Sequence, residues 1–170
     1  MFSDVYGQIR AAREGDAPIT EHVIQCVWYD QIFRQEGLST TDGRAIKILS
    51  PGWWNHAEGP DFKNAQIEIG GKARTGDVEV HFTHAQWTQH GHHADPRYDD
   101  VILHVLMQSE PPVEPALTHR STPVPCLLLS HFLEEDIAVL ADRLAPDPAS
   151  FELDSASGYC AAIAEAYGSE

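Results

Sequence analysis

The stretch from Gly59 to His81, GPDFKNAQIEIGGKARTGDVEVH, constrains the fold more than any other. Ala65–Ile69 alternates, with Ile67 and Ile69 on one face, and Gly70-Gly71 follows. Paired glycines accept the positive φ angles of a two-residue turn, so the pattern predicts a β-hairpin returning along Lys72–Phe82. Alternation then puts Val78 and Val80 on one face and Asp77, Glu79 and His81 on the other. Opposed residues across such a turn share an index sum of about 141, which sets Glu79 opposite Phe62, one residue from Asp61. A one-residue bulge would shift that register. Two carboxylates held this close repel each other unless a cation sits between them, and Mg²⁺ or Mn²⁺ takes such oxygen ligands. Asp61 and Glu79 are therefore the expected metal ligands. His81, on the Glu79 face, is expected to orient or deprotonate a water. Glu21, Lys63 and His104 are candidate supporting residues.

The rest of the chain supplies the elements around this hairpin. Residues 1–18 read as a flexible or loosely helical lead, broken by Gly15, Asp16 and Pro18. Thr20 is placed to cap a helix over EHVIQCVWYDQIFRQ, which Gly37 would end. A short strand is expected at Ala45–Leu49. The Pro- and Gly-rich segment after it is expected to be anchored by burial of Trp53 and Trp54. Thr83 or Thr88 would cap a short helical turn beside Trp87. Val101–Met107 is almost wholly apolar, as suits a central strand buried on both faces. His104 within it reads as a satisfied core histidine unless its face is the cleft side. A Pro-rich loop, a strand at Val124–Leu129 and an amphipathic helix over 131–144 complete the pattern, with Pro146 and Pro148 ending that helix. The tail, 149–170, is left helical or mobile. This order predicts one α/β domain over 19–148, a mixed central sheet with flanking helices.

Composition narrows the function. A chain of 170 residues suits one domain. Its 26 acidic and 11 basic residues give a net charge of −15. No basic stripe exists to grip a nucleic-acid backbone, so a nucleic-acid substrate would need a metal, a local patch or a partner to offset repulsion. A protein partner, or a C-terminal region beyond this chain, is the other partner class left open. No run approaches the ~18 apolar residues of a membrane helix, and the N-terminus lacks a signal-peptide layout. Cys26, Cys126 and Cys160 are odd in number and far apart, which argues against a disulfide framework and points to a reducing cytoplasm. Seven of the ten histidines fall between His56 and His104. His90, His92 and His93, with Asp95, form a weaker alternative loop site. Their HxHH spacing lacks the separated ligand pairs of structural zinc sites, which argues against zinc.

Pro60-Asp61, then Glu79-Val80-His81, with Glu21 on the preceding helix, resembles the PD-(D/E)XK phosphodiesterases of the restriction-endonuclease-like fold. That resemblance implies metal-dependent phosphodiester hydrolysis, with Asp61 and Glu79 holding Mg²⁺ or Mn²⁺. The departure is His81 where that family has Lys. A second resemblance rests on TTDGRAIKILSPG, GPDFKNAQIEI, GDVEVH, W-x-x-H-x-H and YDDVILHV, which in this order look like the bacterial domain of unknown function 2851. It runs from about Glu21 to Met107. Members of that family are longer, which implies that this chain is their N-terminal part. The family name implies no activity. The competing expectation is a non-catalytic binding module that retains the fold, a reading the net charge favours.

Overall fold

The computed structural model describes residues 19–108 and 114–144. The expectations for the lead 1–18 and the tail 149–170 lie outside those residues. In chain order the elements are α1 (Glu21–Tyr29), β1 (Ile46–Ser50), β2 (Trp53–Trp54), β3 (Phe62–Ile69), β4 (Lys72–His81), α2 (Ala85–Gln89), β5 (Val101–Leu106), β6 (Ala116–Leu117), β7 (Pro123–Val124), β8 (Cys126–Leu128) and α3 (Ile137–Leu144). The main sheet is six-stranded, ordered β1-β3-β4-β5-β8, with β2 beside β3. β1, β2 and β4 run antiparallel to β3, while β5 runs parallel to both β4 and β8. The expected mixed α/β sheet is therefore present. Among the described residues, no helix is long and apolar enough to cross a membrane.

The hairpin forms as predicted, and its far end carries the feature that places the site. From Ala65↔Gly76 to Ile69↔Lys72 the partners keep the expected register, and the turn glycines sit at φ 57° and 75°. The register then slips by one, so that Phe62 pairs with Val78. The irregularity lies at Lys63-Asn64, where Asn64 adopts φ 54°, a left-handed conformation that Asn tolerates better than most residues. Asp77 fastens this bulge. Its carboxylate accepts from Asn64 N–H (3.2 Å) and from Lys63 Nζ (2.6 Å). Beyond the bulge Asp61 falls beside Glu79 rather than one residue off.

β5 is buried along almost its whole length and sits between β4 and β8, which accounts for its apolar sequence. Gly76 of β4 faces the start of this strand at very close range. A Cβ there would lie 2.6 Å from Asp100 O and closer still to Ile102 Cγ2. Gly76→Ala is expected to lower stability by about 1–3 kcal/mol, because the backbone oxygen cannot retreat as a side chain would. Urea unfolding measures this, and an unchanged midpoint would contradict the close approach. The core gathers Ile24, Val27 and Trp28 of α1, Val78 and Val80 of β4, Leu103 and Val105 of β5, and Leu140 of α3.

Several expected boundaries are corrected. α1 stops at Tyr29, well before Gly37. Gln31 takes φ 55°, and the bonds Gln31 N–H to Trp28 O and Ile32 N–H to Val27 O close a Schellman motif without glycine. The Pro-rich loop contains β6, which pairs with β7. The single strand expected at Val124–Leu129 is split at Pro125, which has no N–H to give a ladder. One part pairs with β6 and the other with β5. The last helix begins at Ile137, with Asp136 Oδ1 accepting from Ala138 N–H at 2.8 Å, and Leu129–His131 is a 3₁₀ turn. Neither Thr83 nor Thr88 caps α2; His84 holds that position without a side-chain bond. Trp53, expected to be buried, is 59% exposed, because its two-residue strand pairs along the outer part of β3. Trp54 is half-buried and packs on Tyr29 and Phe62.

Candidate metal centre

Asp61 and Glu79 are joined reciprocally through the hairpin backbone. Asp61 N–H donates to Glu79 Oε2 at 3.1 Å, and Val80 N–H donates to Asp61 Oδ2 at 2.9 Å. Gln25, one turn beyond Glu21 on α1, donates from Nε2 to Asp61 Oδ1 at 2.9 Å. Glu79 is buried, 4% exposed. Burial first, and then the charge of Glu79, push Asp61 up to about 8. Burial likewise pushes Glu79 up to about 8, helped by Glu21 and opposed by the Asp61 N–H bond and Lys63. A carboxylate pair held this way binds protons where an exposed pair would not, and it would release them to a cation.

Imidazoles cover the Glu79 carboxylate. His92 Nε2 lies 3.0 Å from Glu79 Oε1 and His81 Nε2 lies 3.3 Å from it. His90 Nδ1 is 3.2 Å from His81 Nε2. The ring of His92 is sandwiched by packing, stacked on Tyr98 with centroids 3.8 Å apart and met edge-on by Trp87. His81, His90 and His92 each present a ligand atom, all within 4.8 Å of one another. Two of the four loop residues, His90 and His92, are thus brought beside His81 of the hairpin, since α2 and the 3₁₀ turn His92–Ala94 fold the loop back over β4. Burial drives His81 down to about 3, with His92, His90 and His84 adding to the effect. His92 is lowered too, mainly by burial.

A bound metal has a specific opening here. His92 Nε2 is buried and, though close to Glu79 Oε1, is not aligned for a hydrogen bond. It has no hydrogen-bond partner among the described residues. Buried imidazole nitrogens are ordinarily bonded, and a cation would satisfy this one. The donor set, one carboxylate and neutral imidazoles, fits a divalent transition ion.

The remaining candidates separate clearly. Glu21 faces the pair, and its Oε1 accepts from Gln86 Nε2 at 2.8 Å. Lys63 is the partner of Asp77 and stands close enough to lower Glu79. His104 is fully buried, and its Nε2 lies 2.8 Å from His81 Nδ1. Its face is therefore the site side. His93 is exposed and apart from the cluster, and Asp95 caps the 3₁₀ turn Pro96–Tyr98 and pairs with Arg97. Gln25, His84, Gln86 and Tyr98 went unnamed as site residues. Gln25 alone had a readable signal, its i+4 spacing from Glu21 on one helix face.

The sequence model of the family described as "Protein of unknown function (DUF2851)" matches residues 21–152. No curated protein and no solved structure matches the chain.

Proposed function

This chain belongs to the DUF2851 family of proteins of unknown function, and we propose that it is a metal-dependent phosphodiester hydrolase. The observation that carries this reading is the buried carboxylate pair, Asp61 and Glu79, covered by imidazoles one of which has a nitrogen with no hydrogen-bond partner among the described residues. Glu79, His81, His90 and His92 would hold the ion. This donor set favours Mn²⁺ or Zn²⁺ over Mg²⁺, which widens the metal expected from the hairpin carboxylates alone. Once bound, the ion supplies a Lewis acid for phosphoryl oxygens and a more acidic water.

The roles of Asp61 and His81 exchange relative to the sequence expectation. His81, neutral and weakly basic in its buried position, suits a ligand. Its Nδ1 is steadied by His104, as a ligand imidazole usually is by a second partner. Asp61 is held on two sides, by Gln25 and by the Val80 amide. It stands beside the donor group and takes the proton of the attacking water. The antiparallel β3–β4 pair followed by parallel β5 and β8, with α1 against β4, is a mixed α/β arrangement that supports this assignment.

The test is cleavage of bis(p-nitrophenyl) phosphate and of single- and double-stranded DNA and RNA, with Mn²⁺ or Zn²⁺, by wild type and Asp61→Asn. Asp61→Asn is expected to lower turnover by about 10²–10⁴-fold while keeping the metal-dependent rise in melting temperature. Absence of cleavage together with absence of any metal-dependent rise sinks the reading. The net charge of −15 favours a second reading, a non-catalytic metal-binding module. A rise in melting temperature without cleavage of any substrate would select it.

A further inference from the structure

Behind His81, on the far side of His104, lies a second group of donors. His84, His104 and Cys126 each present a ligand atom, all within 4.8 Å of one another. His84 follows β4, His104 is in the middle of β5 and Cys126 opens β8, where it is the direct strand partner of His104. Two independent observations mark the group as a place for a ligand. His84 Nε2 and His104 Nδ1 are both buried, and neither has a hydrogen-bond partner among the described residues. His104 is moreover wholly buried, so no solvent satisfies its ring. Cys126 is a free, buried thiol whose Sγ makes a long contact, 3.7 Å, to Val124 O and is also met by the backbone of Ala116. Buried imidazole nitrogens are ordinarily hydrogen-bonded, and here two that are not belong to residues whose ligand atoms gather with the thiol.

We propose that His84, His104 and Cys126 form a second metal site, for a thiophilic divalent ion such as Zn²⁺ or Co²⁺. One thiolate with two imidazoles is a donor set that selects such ions over Mg²⁺. Cys126 binds as the thiolate, and its proton leaves to solvent. Three protein ligands leave a coordination position for a further small ligand.

The second site constrains the first through one proton. His104 Nε2 and His81 Nδ1 are 2.8 Å apart, so a single hydrogen lies between them. An ion on His104 Nδ1 leaves the ring hydrogen of His104 on Nε2, which donates to His81 Nδ1. His81 then carries its own hydrogen on Nε2, the nitrogen that faces Glu79 and His90. An ion on His81 Nε2 demands the opposite arrangement. Filling one site therefore opposes filling the other, and the opposition is reciprocal. This exclusion rests on the reading of His81 as a ligand; the second site itself does not.

Cobalt distinguishes the two, because only thiolate ligation gives the intense near-ultraviolet sulfur-to-cobalt charge-transfer band. Titration of the full chain with Co²⁺ is expected to produce this band, and Zn²⁺ to abolish it. Cys126→Ser and His84→Ala should each lose it. His84→Ala is the safer variant for folding, since the side chain is half-buried and its Nε2 bonds to nothing described. Cys26→Ser and His92→Ala should keep it. No band in wild type, or a band that survives Cys126→Ser, overturns the second site. Equilibrium dialysis is expected to give one bound cobalt per chain. Two bound ions would overturn the exclusion, and loss of the band in His92→Ala would show that the two groups are not separate sites.

Discussion

Glu79→Gln is expected to abolish the Mn²⁺-dependent rise in melting temperature and to cut Mn²⁺-dependent phosphodiester cleavage by at least about 100-fold. That floor follows because loss of a partner one shell out already costs about 10–100-fold in metal affinity or activity, and Glu79 would touch the ion directly. The substitution is nearly isosteric. Gln retains an oxygen that can accept the Asp61 N–H bond now made to Oε2. What disappears is the negative charge that the His92 and His81 nitrogens approach at 3.0 and 3.3 Å. In the unloaded protein the variant should not be less stable than wild type, because a buried group that is expensive to ionise is replaced by a neutral one. The pattern across two variants is the discriminating result. Asp61→Asn should lose turnover and keep the metal response, whereas Glu79→Gln should lose both. If both variants keep the metal response, the ion is not at this site. Equal loss of metal response in both makes Asp61 a ligand, as the hairpin arithmetic alone had suggested.

That arithmetic shows how far the chain can be read before it is folded. The alternation of Val78, Glu79, Val80 and His81 and the Gly70-Gly71 turn were enough to pair Asp61 with Glu79 within one residue. The last residue came from the bulge at Lys63-Asn64, whose cause, the hold of Asp77 on both, is a tertiary contact that no local pattern announces. His90 and His92 were visible as ligand types but not as part of the site. Their place depends on the turns from α2 through Tyr98, and those turns are fixed by packing of Trp87, Tyr98 and Val101 rather than by spacing. The end of α1 was missed for a related reason. Its reversal falls on Gln31, and the Schellman bonds that make it tolerable depend on Ile32 turning inward. The burial of His104 in β5 was legible; the use of its two ring nitrogens in opposite directions was not, because that requires both β4 and β8 beside it.

Without metal, the protein is expected to lose stability as pH rises from about 6.5 to about 8, by on the order of 3 kcal/mol. The site supplies two opposing sets of groups. Asp61 and Glu79, ordinarily at 3.8 and 4.5, are pushed to about 8 in the fold. Between those limits the folded chain holds protons that the unfolded chain has released. The stabilisation from holding them is complete below the unfolded values and is lost as pH climbs through about 8. His81 acts the other way. It moves from 6.5 down to about 3, so the unfolded chain holds the extra proton in that interval and stability rises with pH. His92 and His104, both lowered chiefly by burial, push in the same direction as His81. The two sets offset each other under acid conditions. Above about 6.5 His81, His92 and His104 lose their remaining unfolded-state charge and their opposing effect fades, leaving the carboxyl pair dominant, each of its groups contributing on the order of 1 kcal/mol per pH unit. Glu79→Gln removes one of these titrations and should flatten the slope. Saturating Mn²⁺ should reverse it, because the ion binds the deprotonated site and displaces the protons that the fold otherwise retains. Urea midpoints of chelated and Mn²⁺-loaded protein across this window make the comparison. A chelated protein whose stability is level or increases from pH 6.5 to 8 would mean that Asp61 and Glu79 are already ionised in the fold, with their charges met by something other than a metal.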